Sequence, residues 1–126
     1  MINTPISLGE LIDKISILQI KKNNIIDEKK LIFIQKEFLL LQSILSNSTE
    51  DKKVNEYLNK LIEINSKLWD IEDDIRDCER NKRFDQKFID LARSVYINND
   101  IRSEIKLEIN NYFSSTLVEV KSYEKY

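Results

Sequence analysis

Apolar residues recur along this chain at helical spacing almost from end to end. Ser7 and Glu10 stand at capping-box spacing, so a first helix is predicted to start at Leu8. Its Leu8, Leu11, Ile15 and Leu18 step by 3, 4 and 3, one helical stripe, which Ile12 widens. Asn23 and Asn24 are weak helix formers and Asp27 is a good N-cap, so a second helix is predicted over about Glu28 to Leu45. Leu31, Ile34, Phe38, Leu41 and Leu45 form its inward stripe. Asn47, Ser48 and Thr49 make a polar turn, with Ser48 or Thr49 capping the next helix. That third predicted helix, about Glu50 to Lys82, has the most regular pattern. Val54, Tyr57, Leu61, Ile64, Leu68, Ile71, Ile75 and Cys78 step 3, 4, 3, 4, 3, 4, 3, the seam of a coiled coil. Two short helices are predicted next. One spans Asp85 to Ile97 with Phe88, Leu91, Ala92 and Val95 inward; the other is capped by Asp100 and carries Ile101, Ile105, Ile109 and Tyr112 or Phe113. The head, Ile2 to Ile6, and the β-branched tail, Thr116 to Val120, read as extended ends that pair as a short ribbon.

Length turns this pattern into an architecture. At 1.5 Å per residue the third helix reaches roughly 50 Å, and it overhangs a compact domain of roughly 36 Å diameter. A short turn lays the second helix antiparallel on its first half. The far half, Leu68 to Cys78, then needs cover from the first helix and the C-terminal helices, or from a second subunit. The expected fold is therefore all-α: an elongated helical bundle built on a long antiparallel helical hairpin, with residues 1–126 as one helical domain and a homodimer favoured. The alternative is a kink near Asn65 and Ser66 that folds the long helix back.

Composition narrows the chemistry. One Gly (Gly9) and one Pro (Pro5) both fall in the first nine residues, which disfavours β-sandwich and parallel α/β folds and excludes a Gly-rich phosphate loop. The absence of His excludes a His-based triad, an imidazole base and His-ligated zinc. The lone Cys78 lies on the apolar seam and reads as a small core residue; it fits a reducing, cytoplasmic setting. A net charge of -2 gives no cationic surface for nucleic acid, and no apolar run is long enough for a membrane span.

Two features point to a candidate site. Six of the ten residues from Asp70 to Glu79 are acidic, with Trp69, the only tryptophan, just ahead of them. The bland reading is a solvated face with ordinary ion pairs, Glu72 with Arg76 and Asp77 with Arg80. Against it, Asp70, Asp73, Asp74 and Asp77 set like charges at i,i+3 and i,i+4. The second feature is arginine. Arg76, Arg80, Arg83, Arg93 and Arg102 are all five arginines of the chain, while lysine supplies the basic residues elsewhere. Guanidinium makes planar, two-pronged contacts that ammonium does not, so the cluster reads as an internal Arg–acid network or as an anion site. Tyr96 shares a face with Arg93, and Asp100 lies in the junction before Arg102. The candidate ligand- or partner-binding set is Trp69, Glu72, Asp73, Arg76, Arg80, Arg93, Tyr96, Asp100 and Arg102.

Gly9-Glu10-Leu11-Ile12-Asp13-Lys14-Ile15, the block Leu68 to Glu79, Leu91-Ala92-Arg93-Ser94-Val95-Tyr96 with Asn99-Asp100, and Leu117-Val118-Glu119 with Lys121-Ser122-Tyr123 resemble a family of small bacterial and phage helical proteins of unknown function. The resemblance spans nearly the whole chain and implies a stand-alone helical domain without supplying a mechanism.

Two functions from different classes are expected. The first is a non-enzymatic, homo-oligomeric interaction module that reads a protein partner through the Trp69 to Arg102 surface and needs no cofactor or metal. The second is a binding protein or enzyme for a phosphorylated small molecule, a nucleotide or nucleotide-sugar. There Arg76, Arg80, Arg93 and Arg102 hold the anion, and Glu72 or Asp73 is the acid–base or magnesium group.

Overall fold

The computed structural model describes residues 1–115 and 119–126. Its four helices are α1 (Leu8–Asn24), α2 (Glu28–Ser48), α3 (Lys53–Arg80) and α4 (Gln86–Tyr112). Local chemistry sets their ends. The Ser7 hydroxyl accepts the Glu10 amide at 3.1 Å, and the Asp27 carboxylate accepts those of Lys29 and Lys30 at 3.0 and 3.1 Å. Before α3 the predicted hydroxyl cap is replaced by a relay. Thr49 Oγ1 accepts the Asp51 amide, and Asp51 Oδ1 accepts that of Lys53 at the helix start. Helices α3 and α4 both end in the same pair of backbone hydrogen bonds. Lys82 and Ser114 take positive φ, and the next residues, Arg83 and Ser115, donate back to the carbonyls of Cys78 and Asn110 at 2.8 Å.

The third helix is continuous, with no kink at Asn65. Every residue of its heptad seam is buried or half-buried, Cys78 included. The expected pair of short C-terminal helices is instead one helix, α4, of 27 residues. Asn98, Asn99 and Asp100 do not break it. The Asn98 amide donates to the Ser94 carbonyl one turn back, at 2.7 Å, inside the helix. Asp100 does not cap a helix; it takes the phenol of Tyr123 from the tail at 2.8 Å. The inward face of α4 runs Phe88, Leu91, Val95, Asn98, Arg102, Ile105 and Ile109, while Ile101, predicted inward, is exposed.

The long antiparallel hairpin is therefore α3 with α4. Tyr57 meets Tyr112 edge-on at 5.9 Å between ring centres, and Lys60 faces Glu108 at 4.0 Å. The expected pairing of α2 with α3 is not formed as a close backbone pair: α2 approaches α1 alone, and α1 approaches all three other helices. Along the far half of α3, where a second subunit is expected as one possible cover, α4 packs on one face and leaves Leu68, Ile71 and Ile75 half-buried. Helix α1 thus sits at the centre. Its stripe of Leu11, Ile15 and Leu18 joins Ile34, Phe38 and Leu45 of α2, and Leu61, Ile64 and Ile109 close the same core.

Among the described residues there is no strand, so the predicted ribbon of head and tail has no counterpart there. Thr116, Leu117 and Val118, part of that prediction, lie outside the described residues. Residues 119–126 run back along α4: Glu119 reaches Lys106, Tyr123 reaches Asp100, and the Tyr126 ring meets that of Tyr96 at 5.1 Å. Among the described residues no helix is long and apolar enough to cross a membrane.

Candidate functional site

Helix α1 carries a second stripe besides its apolar one: Gly9, Asp13, Ser16 and Ile20, spaced 4, 3 and 4. This stripe faces the α3–α4 hairpin, and polar chemistry collects there. Asp13 is 1% exposed and Ser16 is fully buried. Arg102 of α4 grips the Asp13 carboxylate with both prongs: Nε donates to Oδ1 at 2.9 Å and Nη2 donates to Oδ2. Asn65 of α3 donates to the same Oδ1 at 2.9 Å and to Ser16 Oγ at 2.7 Å, and Ser16 donates to the Asp13 carbonyl at 2.6 Å. One carboxylate thereby ties three helices. A buried charge is tolerable only when paired and fully hydrogen-bonded, and this one is. Donation to Asp13 is the main cause that raises Arg102 above the ordinary guanidinium range.

The antiparallel ladder between α1 and α4 continues past this knot. Burial alone would lower Lys106, but hydrogen bonds to Glu10 at 2.7 Å and Glu119 at 3.0 Å outweigh it, and its pKa is raised. Glu119 is held by Lys121 at 2.6 Å and by Lys106, which lower its carboxyl to about 2. One rung further, the Gly9 amide donates to the buried Asn110 side chain at 2.8 Å. Any Cβ at Gly9 would meet the Lys106 carbonyl at 2.6 Å, so the close approach of α1 and α4 requires glycine here. Every buried side-chain nitrogen and oxygen among the described residues has a hydrogen-bond partner.

Two open cavities flank Arg102. The larger, about 810 Å³, lies between α4 and the returning tail; Tyr96, Asp100, Arg102, Lys106, Glu119, Lys121 and Tyr123 line it. Asp100 accepts the phenols of Tyr126 and Tyr123, which hold its carboxyl below the usual range, and the Tyr126 phenol is pushed up to about 12. The second cavity, about 450 Å³, lies where α1 meets the middle of the hairpin. Trp69, Glu72, Asp73, Arg76, Asn65 and Arg102 line it. Asp13 lines neither cavity, so its sealed carboxylate works as a lock.

Of the residues predicted from sequence, Trp69, Glu72, Asp73, Arg76 and Arg102 share the second cavity, while Tyr96, Asp100 and Arg102 share the first. Arg80 and Arg93 are not brought in. Arg80 pairs with Asp77 on the exposed face of α3, and Arg93 donates to the Tyr96 hydroxyl at 3.4 Å. Arg76 meets Glu72 at 3.5 Å and Arg83 meets Asp85 at 3.2 Å. The acidic run from Asp70 to Glu79 is a solvated face, all six of its acids being exposed. Among the described residues no group of three or more His, Cys, Asp or Glu is placed to hold a metal ion. Sequence reasoning missed Asp13, Ser16, Asn65, Lys106, Asn110, Glu10 and Glu119. The spacing of Gly9, Asp13, Ser16 and Ile20 was the available signal for α1, and that of Arg102, Lys106 and Asn110, four residues apart, was the signal for α4.

Fold and site together define an all-α protein in which a central helix is locked to an antiparallel hairpin by a buried carboxylate gripped by a partly exposed guanidinium, with mixed-charge cavities on either side. The chain belongs to the family of unknown function DUF6165, whose model matches residues 2–126. No curated protein and no solved structure matches it.

Proposed function

We propose that this protein is a non-enzymatic, homo-oligomeric interaction module that recognises a partner through the surface from Trp69 to Arg102. One observation carries the reading: each of the five arginines is matched to an acceptor of its own chain. Arg76, Arg80, Arg83 and Arg102 meet carboxylates, and Arg93 meets a phenol. Guanidinium groups already matched by carboxylates make a mixed-charge relief rather than a free anion clamp. The half-buried Trp69 indole beside Glu72, Asp73 and Arg76 offers an apolar anchor with a polar rim, the anatomy of a protein-binding surface.

The larger cavity favours a second reading, a site for a phosphorylated small molecule, because Arg102, Lys106 and Lys121 converge on it. Against this reading, Asp13, Glu10 and Glu119 already balance those cations. Two measurements on the full chain decide. Sedimentation equilibrium is expected to give a multiple of the 15.0 kDa chain mass; a single-chain mass at every concentration contradicts the module as proposed. Thermal shift with inorganic phosphate, a nucleoside diphosphate and a nucleotide-sugar, each with and without magnesium, is expected to leave Tm unchanged. Saturation at 100 times Kd would add about 2.7 kcal/mol, and a rise that Lys106→Met or Lys121→Met abolishes would establish the second reading instead.

A further inference from the structure

Helix α2 is built for two neighbours and has one. Ten of its 21 residues are apolar, from Leu31 to Leu45. Only Ile34, Phe38 and Leu45 are buried, all on the side that meets α1. On the other side Phe33 is 75% exposed, Ile32 68%, Leu39 56%, Ile44 44% and Leu40 42%. Phe33, Leu40 and Ile44 succeed one another at steps of 7 and 4, and Ile32 and Leu39 lie seven apart beside them, so the five form one broad outer face. An aromatic side chain presents roughly 150–250 Å²; with Leu and Ile taken near the lower end of that range, the face at these exposures amounts to on the order of 500 Å². That is at the upper end of what a monomer ordinarily leaves in one patch. Doubled by a second copy it reaches about 1,000 Å², the least that a biological interface should clear and the size of a weak, reversible one.

We infer that this face pairs with the same face of a second copy of the chain, with the two α2 helices antiparallel. The inference rests on the homo-oligomeric reading above and supplies its surface. Charge sets the direction. Lys29, Lys30 and Lys36 outnumber Glu28 and Glu37 in the first half of α2, whereas Phe38 to Thr49 contains no charged residue. A parallel pair sets Lys36 against Lys36 in the middle of the apolar face. An antiparallel pair centred at Leu39 and Leu40 sets each Lys36 beside the uncharged turn at Ser43. It also brings Lys29 and Lys30 to the partner's helix end, where the last carbonyls and the exposed Glu50 attract a cation, while Asp51 there already accepts from Lys53 and Tyr112.

The test uses the full-length chain in solution. Sedimentation equilibrium is expected to give twice 15.0 kDa for the native protein, and a single chain for the double variant Leu39→Glu, Leu40→Glu with unchanged helicity. The surface control Arg80→Glu is expected to stay a dimer. One cysteine added at an exposed position, with Cys78→Ala removing the buried native thiol, gives a second measurement that does not depend on the double variant folding. Leu40→Cys is expected to form a disulfide-linked dimer under mild oxidation, and Phe33→Cys is not. Equal cross-linking at both positions overturns the antiparallel order. A dimer that survives the double glutamate variant in folded form overturns the α2 surface but leaves homo-oligomerisation standing, whereas a native protein of single-chain mass removes both.

Discussion

The two ends of the α3–α4 hairpin are made of the same pattern and differ in company. At one end Tyr57, Leu61 and Ile64 of α3 and Ile109 of α4 are buried, with Leu61 and Ile109 at 0% exposure. At the other, Leu68, Ile71, Ile75, Leu91 and Val95 hold the same seam positions yet are only half-buried, and among the apolar residues there Cys78 alone is buried. The difference is α1. Where it lies in the hairpin, a third wall closes the core and a carboxylate can be sealed among three helices. From the cavity that Ile17 and Ile20 of α1 share with Leu68 and Trp69 onward, two helices cover only one face of each other. The arginines divide in the same way. Arg102 commits its fork to a sealed partner, whereas Arg76, Arg80 and Arg83 make exposed pairs that salt and side-chain entropy weaken. A heptad seam therefore specifies which helices pair, and the number of neighbours decides how much a residue on it stabilises.

That contrast is broken most severely at Arg102. Arg102→Ala strands a carboxylate that is 1% exposed, with only Asn65 left as a side-chain donor, and is expected to cost about 3–5 kcal/mol. Asp13→Ala is expected to cost less, about 1–3 kcal/mol, because the stranded guanidinium is 28% exposed and can turn to water. Urea titration of the two variants checks both the size and the order.

Gly9→Ala is next. The new methyl is driven against a backbone carbonyl that a side-chain movement cannot clear, so α1 and α4 must separate locally, at about 1–3 kcal/mol. Loss of slow exchange at the Gly9-position amide, which donates to Asn110, would accompany the lower urea midpoint.

Glu119 gives a smaller effect with a defined pH window. Its carboxyl falls from an ordinary 4.5 to about 2 in the folded chain, so its contribution is complete above pH 4.5 and lost as pH falls toward 2. The Tm difference between the native chain and Glu119→Gln should be widest near neutrality and close across that interval. A difference that grows on acidification reverses the sign and contradicts the pairing with Lys106 and Lys121.

The smallest effect is expected at the far end of the hairpin, the arm formed by the last turns of α3 and the first turns of α4. Arg80→Ala removes an exposed pair with Asp77 and should leave Tm within about 2 °C, as surface substitutions ordinarily do.

The elements were largely legible because periodicity and caps carry them. Ser7 and Asp27 start helices as their side chains predict, and the seam from Val54 to Cys78 is continuous. The break expected at Asn98 to Asp100 weighs local propensity above period. Phe88, Leu91, Val95, Asn98, Arg102, Ile105 and Ile109 step 3, 4, 3, 4, 3, 4, and the two polar members hide a heptad seam. The partner of α3 was hidden for a related reason. A short turn makes neighbours in sequence easy to pair, yet α2 turns its buried stripe to α1. Arg102 was legible as unusual, but its partner lies 89 residues away on the first helix, and no local pattern links a lone Asp13 to it. The exposed arginines were legible as a cluster in sequence and are not one in space, since each finds its acceptor within one turn or across one loop.

Native-state hydrogen exchange along α3 tests the contrast most directly. One helix crosses both regions, so composition and length are controlled internally. Amides from Leu61 to Asn65 should exchange only through global unfolding, and those from Ile75 to Arg80 should open at a fraction of that free energy. Arg102→Ala should bring the first group down toward the second. Uniform protection along α3, or slower exchange in the arm than beside α1, would contradict the claim that the buried knot at Asp13 holds this fold together.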